Sequence, residues 1–341
     1  MTDILSMTFD ELTKYVIGKG HPKVRAQQIF SWLHKGISSF DEMKNIPKSL
    51  QTELSESCCI NFAERVRCQI SKQDETRKYL LKFLDGNCVE AVFMKYNHGN
   101  TVCISTQVGC RMGCTFCAST KNGLVRNLLP SEMLAELFAI IKDTGEKISN
   151  IVLMGSGEPL DNYDNVIKFL SLVNDERGLN IGLRHISLST CGLCDKIERL
   201  AKENLPITLS VSLHAPTDEA RSAIMPVNKA YGVKRLIGTC KAYFEQTSRR
   251  ISFEYTMIDG KTDTLSQAKE LSELLSGFPC HINLIPLNKI SEGDLMPSSH
   301  ESIQRFKACL EKSGLTVTVR RSLGSDIDAA CGQLRQNYIK N

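Results

Sequence analysis

Long apolar runs are missing from this 341-residue chain, and none approaches the roughly 18 residues that suggest a membrane helix. The opening residues, Met1-Thr2-Asp3-Ile4-Leu5, lack the basic and apolar stretches of a secretory signal, so a cytoplasmic protein is expected. Charge of one sign is also scarce. The formal net charge of +4 neither requires nor excludes a nucleic-acid partner, because a local basic face matters more than the total. Low-complexity segments are absent. Cysteine, by contrast, is plentiful at fourteen residues. A disulfide framework does not suit a reducing compartment at this length. Cys58, Cys59, Cys68, Cys88, Cys240, Cys280 and Cys309 therefore read as small buried hydrophobes. The 42% apolar content is ordinary for a chain that buries a core, and the length suits one large domain or two modest ones.

Residues 1–75 read as a small helical unit. Apolar residues recur at helical spacing around Phe9, Leu12 and Val16, and again at Ala26, Ile29, Phe30 and Leu33. A short third helix is expected near Leu50–Leu54, after Pro47. Lys78–Leu84 and Val89–Lys95 then read as a β-hairpin closed by a turn containing Asp85-Gly86. This hairpin, within residues 76–95, connects to a main domain over 96–335, which leaves a tail at 336–341. In the main domain the strands Thr101–Ser105, Asn150–Met154, His185–Ser189, Ile207–Leu213, Ile251–Tyr255 and His281–Ile285 alternate with helices. Those helices are Glu132–Asp143, Tyr163–Asn174, Asp195–Glu203, Val233–Phe244, Leu265–Leu275 and Ser302–Lys312. Six such units imply an α/β fold of parallel strands with helical crossovers, either an open sheet or an incomplete barrel. The polar and glycine-rich motifs all fall at or just after strand ends, where α/β barrels build their sites.

Cys110, Cys114 and Cys117 form a C-x3-C-x2-C run with no obvious fourth ligand. Structural zinc wants four ligands, so a zinc knuckle would have to borrow a histidine or a distant cysteine. A cubane iron–sulfur cluster takes one cysteine per iron, so three would leave one iron open. An amine and a carboxylate could chelate that iron, and S-adenosylmethionine carries both. An electron from the cluster would then cleave the adjacent sulfonium C–S bond and release a carbon radical.

The run, with Phe116 just before its last cysteine, resembles that of the radical S-adenosylmethionine enzymes. Gly155-Ser156-Gly157-Glu158 resembles their second-strand glycine–glutamate motif. Four further stretches resemble the RlmN-type dual-specificity rRNA and tRNA adenine C2-methyltransferases, of the RlmN/Cfr family. They are Cys103-Ile104-Ser105-Thr106-Gln107-Val108-Gly109-Cys110, Ser212-Leu213-His214-Ala215-Pro216, Asn283-Leu284-Ile285-Pro286-Leu287-Asn288, and Asp326-Ile327-Asp328-Ala329-Ala330-Cys331-Gly332-Gln333-Leu334. The resemblance runs from about Val89 to Arg335, and the helical N-terminus is in keeping with it.

The resemblance implies an incomplete (βα)6 radical-SAM barrel with a helical, RNA-binding accessory domain. It implies that Cys110, Cys114 and Cys117 hold a single [4Fe–4S] cluster. Gly157, Glu158, Ser189, Ser212, Leu213, His214 and Asn288 would bind S-adenosylmethionine. The implied reaction methylates carbon 2 of an adenosine in 23S rRNA and in tRNA, with two cofactor molecules. Cys331 would take a methyl group from the first by ordinary nucleophilic attack. A radical formed from the second would activate that methyl group, which adds to adenine as a transient protein–RNA crosslink. Glu90 would accept the ring proton. Cys103 would attack the sulfur of Cys331, leaving a disulfide bond for a reductant to reset. A donor such as flavodoxin or ferredoxin would supply electrons.

Single residues have plainer readings. Cys331 and Cys103 could be buried cysteines, His214 a structural histidine and Glu90 a solvated edge residue. The alternative functions are Cfr-type C8-methylation of the rRNA adenosine and a non-catalytic, metal-bearing RNA-binding protein. Pro159-Leu160 after Glu158 favours the RlmN side, since Cfr-type sequences tend to have alanine there. Ser156 replaces the methionine common at its position, which is expected to be tolerated. Cys191 and Cys194 form a C-x2-C after the third strand, a pair that could serve a redox or zinc role, although two ligands alone do not complete a zinc site. Arg65, Arg67, Lys72, Arg77 and Lys78, with Arg249-Arg250 and Arg320-Arg321, are candidate phosphate contacts, although charge runs are usually solvated faces.

Overall fold

The computed structural model describes residues 1–287, 295–321, 323–324 and 326–327. The elements in chain order begin with β1 (Thr2–Asp3), α1 (Phe9–Gly18), α2 (Lys23–Leu33), α3 (Lys48–Ser57) and β2 (Cys58–Cys59). Next come β3 (Glu64–Ile70), β4 (Arg77–Lys82), β5 (Cys88–Tyr96), β6 (Gly99–Cys103), β7 (Gln107–Gly109), β8 (Leu124–Asn127) and α4 (Pro130–Thr144). The alternating part is β9 (Asn150–Leu153), α5 (Tyr163–Asn174), β10 (Ile186–Thr190), α6 (Cys194–Glu203), β11 (Thr208–Ser212), α7 (Asp218–Ile224) and α8 (Val233–Thr247). It ends with β12 (Ile251–Met257), α9 (Leu265–Leu274), β13 (Cys280–Pro286), α10 (His300–Lys312) and β14 (Thr316–Val319).

Ten strands form one sheet in the order β14-β13-β12-β11-β10-β9-β6-β5-β4-β3. From β6 to β14 every neighbour is parallel, and β5, β4 and β3 extend that sheet in antiparallel fashion. Among the described residues β3 and β14 do not pair, so the barrel stays open, as an incomplete barrel should. All six expected parallel strands and their helices are present. The parallel set gains a seventh strand, β14, and β11 is followed by an additional helix, α7. Residues 64–70 form a strand where a helical unit was expected. Their side chains alternate between β-branched or aliphatic and charged or polar, which suits an edge strand paired to β4 better than a helix.

Local chemistry sets several boundaries. Thr8 and Glu11 cap the start of α1 reciprocally, and Thr264 with Gln267 does the same for α9. Alternation does the rest. Ile186, Leu188, Leu209, Val211, Ile251, Phe253, Ile282 and Leu284 share one sheet face and join a continuous core with Leu170, Leu200, Leu236 and Leu271 from the helices. Their neighbours in sequence point the other way. No helix among the described residues is long and apolar enough to cross a membrane.

Candidate active site

The second sheet face is polar, and the strand register defines it. Lys78 pairs with Val92, Val92 with Cys103, Cys103 with Val152 and Val152 with Ser187. Ser189 pairs with Ser210, Ser210 with Ser252, Ser212 with Glu254 and Glu254 with Asn283. Directly paired residues share a face, as do residues two apart on a strand. Lys78, Glu90, Cys103, Ser189, Ser212 and Glu254 therefore lie on one concave surface. Asn283 Nδ2 donates to Glu254 Oε2 at 2.8 Å, and burial pushes the Glu254 carboxyl up.

At the carboxyl ends of β9–β13 this surface opens into a cavity of about 260 Å³. Cys110, Cys114 and Cys117 line it together with Gly157, Glu158, Ser189, Ser212 and His214. The cysteine run hangs from the small β7–β8 hairpin. Cys110 N–H donates to the Gly123 carbonyl at 3.0 Å, and Thr115 N–H donates to the Ile224 carbonyl of α7 at 3.0 Å. Arg111 forks onto the Asp161 carboxylate, with Nε 2.9 Å from Oδ2. Gln107 ties the whole together, donating to Asp161 and Asn127 at 2.8 Å each and accepting from Glu158 N–H at 2.8 Å. Burial pushes the Cys110 and Cys114 thiols up to about 12, and the neighbouring thiols add to the effect. A bound metal reverses that balance, since a coordinating thiol is deprotonated outright.

Glu158 is fully enclosed. Its Oε2 accepts from Cys191 N–H at 2.7 Å and its Oε1 from Leu160 N–H at 3.0 Å, while burial raises its pKa. The carboxylate thus staples the turn after β9 to the end of β10. It retains unused lone pairs, since an ionised carboxylate has about four acceptor sites. His214 sits in a left-handed conformation, φ 57°, with its ring edge-on to Phe116 at 4.8 Å. Its Nδ1 accepts from the Thr256 N–H at 3.0 Å. The imidazole is therefore neutral with its proton on Nε2, and burial pulls its pKa down to about 3. Leu213 is placed differently from its neighbours. Its side chain is in the core, and its N–H donates to the Glu254 carbonyl at 3.1 Å.

Glu90 and Cys103 are buried on the concave face but do not border the cavity. Glu90 is no solvated edge residue. Lys78, fully buried, places its Nζ 3.0 Å from Glu90 Oε2, which removes Lys78 from the set of candidate phosphate contacts. Arg65 and Arg77 are likewise engaged, both with Asp143. Cys191 and Cys194 part company: Cys191 lines the cavity and Cys194 lies in the main core. Asn288, Cys331 and the expected Cys103–Cys331 disulfide lie outside the described residues. Sequence reasoning missed Lys78 as the partner of Glu90, Glu254, and the buried Arg221. The alternation Leu209-Ser210-Val211-Ser212 and Ile251-Ser252-Phe253-Glu254 carries the signal for a polar inner face.

Residues 104–274 match the Radical SAM superfamily, and residues 2–60 match the ribosomal RNA large subunit methyltransferase N-terminal domain. The chain is 53% identical over 342 residues to a Lachnospira eligens protein named "Probable dual-specificity RNA methyltransferase RlmN", covering 100% of this chain and 98% of that one. A Clostridium tetani protein of the same name is 51% identical over 341 residues, again covering 100% and 98%. The chain belongs to the RlmN family of radical SAM proteins. The crystal structure of a radical SAM methyltransferase from Sphaerobacter thermophilus is 41% identical, with a TM-score of 0.93 over 98% of this chain and 99% of that one.

The cofactors of this family are a [4Fe–4S] cluster and S-adenosylmethionine. The residues present fit both. Among the described residues no three or more His, Cys, Asp or Glu side chains gather closely enough to chelate one metal ion. A cluster instead spreads its thiolates over separate irons, which suits three cysteines on one cavity wall. Beside the thiols, the strand ends offer carboxylate, hydroxyl and imidazole groups to a polar cofactor.

Proposed function

We propose that this protein methylates carbon 2 of an adenosine in 23S rRNA and in tRNA, through a methylcysteine at Cys331 and a transient crosslink to RNA. The observation that carries this reading is the shared concave face, on which Cys103 and Glu90 follow the strand ends framing the three-thiol cavity. Cys110, Cys114 and Cys117 would hold the cluster. When bound, it supplies the electron that splits a sulfonium C–S bond and yields a carbon radical.

The chain's own groups do the rest. Gly157, Glu158, Ser189, Ser212, Leu213, His214 and Asn288 would hold S-adenosylmethionine, with Leu213 acting through its backbone and His214 Nε2–H free to donate into the cavity. Cys331 acts as methyl-accepting thiolate and Cys103 as the thiol that releases product. Glu90 accepts the ring proton, its carboxylate oriented by Lys78. The helical part of residues 1–75, as far as β2, serves as an accessory RNA-binding domain, while the expected connecting hairpin of 76–95, as β4 and β5, joins β3 in extending the sheet of the radical core over 96–335. A flavodoxin or ferredoxin delivers electrons.

Anaerobic reconstitution followed by nucleoside mass spectrometry tests this directly. Incubation with rRNA or tRNA, S-adenosylmethionine and reductant should yield 2-methyladenosine, and its absence would refute the reading. Formation of 8-methyladenosine would assign the Cfr-type reaction instead. Cys331→Ala should lose methylation and keep its cluster, which separates catalysis from mere RNA binding.

A further inference from the structure

Arg221, on α7, is fully buried, and among the described residues its hydrogen bonds all go to neutral acceptors. Nε donates to the Leu213 carbonyl at 3.1 Å. Nη1 donates to Asn228 Oδ1 at 3.0 Å and to the Tyr231 carbonyl at 3.4 Å. Nη2 donates to the carbonyls of Cys191 at 2.6 Å and Ser212 at 3.1 Å. Lys78, the other fully buried cation among the described residues, has its carboxylate at 3.0 Å. Asp218, one turn before Arg221, makes no direct bond to it: its Oδ1 accepts from Val233 N–H at 2.7 Å and from Asn228 Nδ2 at 3.0 Å, so its charge reaches Arg221 only across the Asn228 amide. Glu158 stands on the other side of the Cys191 main chain: it accepts the Cys191 N–H, while Arg221 donates to the Cys191 carbonyl. Taking an ion out of water is costly unless an opposite charge is close.

The cysteine run lies on the far side of the same wall. Ile224, one turn after Arg221, accepts the Thr115 N–H, and Cys114 packs against the small buried cluster that contains Ile224 and Met225. We propose that Arg221 is the buried countercharge of the iron–sulfur cluster: it clamps the β10 and β11 ends and favours the cluster's reduced state. The proposal rests on Cys110, Cys114 and Cys117 being the ligands. Reduction brings one electron from an external one-electron donor into the cluster; no bond forms or breaks, and no proton moves. Three thiolates already outweigh the positive charge of the oxidised core. A fixed cation in a water-excluded wall therefore stabilises the reduced form more than the oxidised one. Arg221 acts on the cluster without touching substrate, so it is a positioning residue.

The test is a redox titration of the reconstituted full-length protein, free of RNA, followed by electron paramagnetic resonance. Iron and sulfide counts are taken on the wild type, Arg221→Lys and Arg221→Met. Arg221→Met should assemble its cluster yet show a lower midpoint, with the reduced-to-oxidised ratio at a fixed potential falling roughly tenfold. Arg221→Lys, which keeps the charge and loses most of the clamp, should keep the midpoint while losing thermal stability. An unchanged midpoint in Arg221→Met overturns the proposal alone. A midpoint in Arg221→Lys as low as in Arg221→Met also overturns it, because the clamp rather than the charge would then matter. A wild type that takes up no cluster, or a Cys114→Ala variant that holds a complete one, overturns the ligand assignment and the proposal with it. Should Arg221→Met not fold, Arg221→Gln carries the same test, since it removes the charge and keeps a donor for the same carbonyls. A lowered midpoint is expected there, and an unchanged one overturns the proposal.

Discussion

Gly109 precedes the first cysteine of the run at φ 81°, and Gly123 faces it across the β7–β8 hairpin at φ 64°. Both need the left-handed region that favours glycine, but only one is crowded. A Cβ at Gly123 would meet nothing within 4 Å, whereas a Cβ at Gly109 would collide with the Gly123 carbonyl. That carbonyl is the acceptor for Cys110 N–H. Gly123→Ala should cost the left-handed penalty of roughly 1–2 kcal/mol, less about 0.4–1 kcal/mol for a stiffer unfolded chain. A net loss of about 1 kcal/mol follows. Gly109→Ala adds an overpacking cost of about 1–3 kcal/mol, because the obstacle is backbone and cannot rotate away. Its total should be about 2–4 kcal/mol.

Urea unfolding of both apo variants at matched m-values measures the difference, and iron uptake after reconstitution measures its consequence. Relief of the clash moves the Gly123 carbonyl and with it Cys110, so Gly109→Ala should bind less iron than Gly123→Ala. Equal unfolding midpoints together with equal iron content would refute the reasoning, because the hairpin would then not be what places the first thiol.

Removing one partner of the buried Lys78–Glu90 pair should be expensive. Lys78→Met should cost about 3–5 kcal/mol in chemical unfolding, and the added change Glu90→Leu should recover much of it. His34 is buried between Phe30, at 4.1 Å, and the Phe138 ring edge, and burial lowers its pKa to about 4 against an opposing pull from Asp175. The unfolded chain then binds the extra proton below about pH 6.5, so this contribution is intact above that pH and is lost as pH falls toward 4. Between pH 7 and 5 the wild type should lose about 2 kcal/mol more than His34→Phe, measured by urea unfolding at each pH.

The parts of the fold written in local periodicity were legible. The six parallel strands and their helices follow from apolar spacing, and the cysteine run needs no neighbours to be noticed. Two of the missed elements were legible in principle: Thr316-Val317-Thr318-Val319 alternates and is β-branched, and residues 64–70 alternate as well. Lys78 was misread because a lysine beside four other basic residues looks solvated, and only the pairing of β4 with β5 brings Glu90 to it. Arg221 left no local trace at all. Its partners come from positions 191, 212, 213, 228 and 231, and four of those five acceptors are backbone carbonyls that any residue type would supply.

The same distinction explains the turn after β9. Ser156 works entirely through its main chain: its carbonyl accepts from Thr106 N–H at 2.9 Å and Gln107 N–H at 3.1 Å, and its N–H donates to Ser105 Oγ at 2.9 Å. Its own buried hydroxyl has no hydrogen-bond partner among the described residues. An unsatisfied buried hydroxyl is a cost, not a stabilising contact, so nothing in the turn requires serine there. The flanking positions differ. A Cβ at Gly155 would stand 2.6 Å from the Ile104 carbonyl oxygen, and one at Gly157 would stand 2.6 Å from Gln107 Cβ. Those two approaches let β9 close on the segment that leads into the cysteines, and Glu158 then reaches across to Cys191. The motif is thus a mechanical joint between three strand ends before it is a ligand. Its glycines and its glutamate carry that joint, and the residue between the glycines is left free to vary.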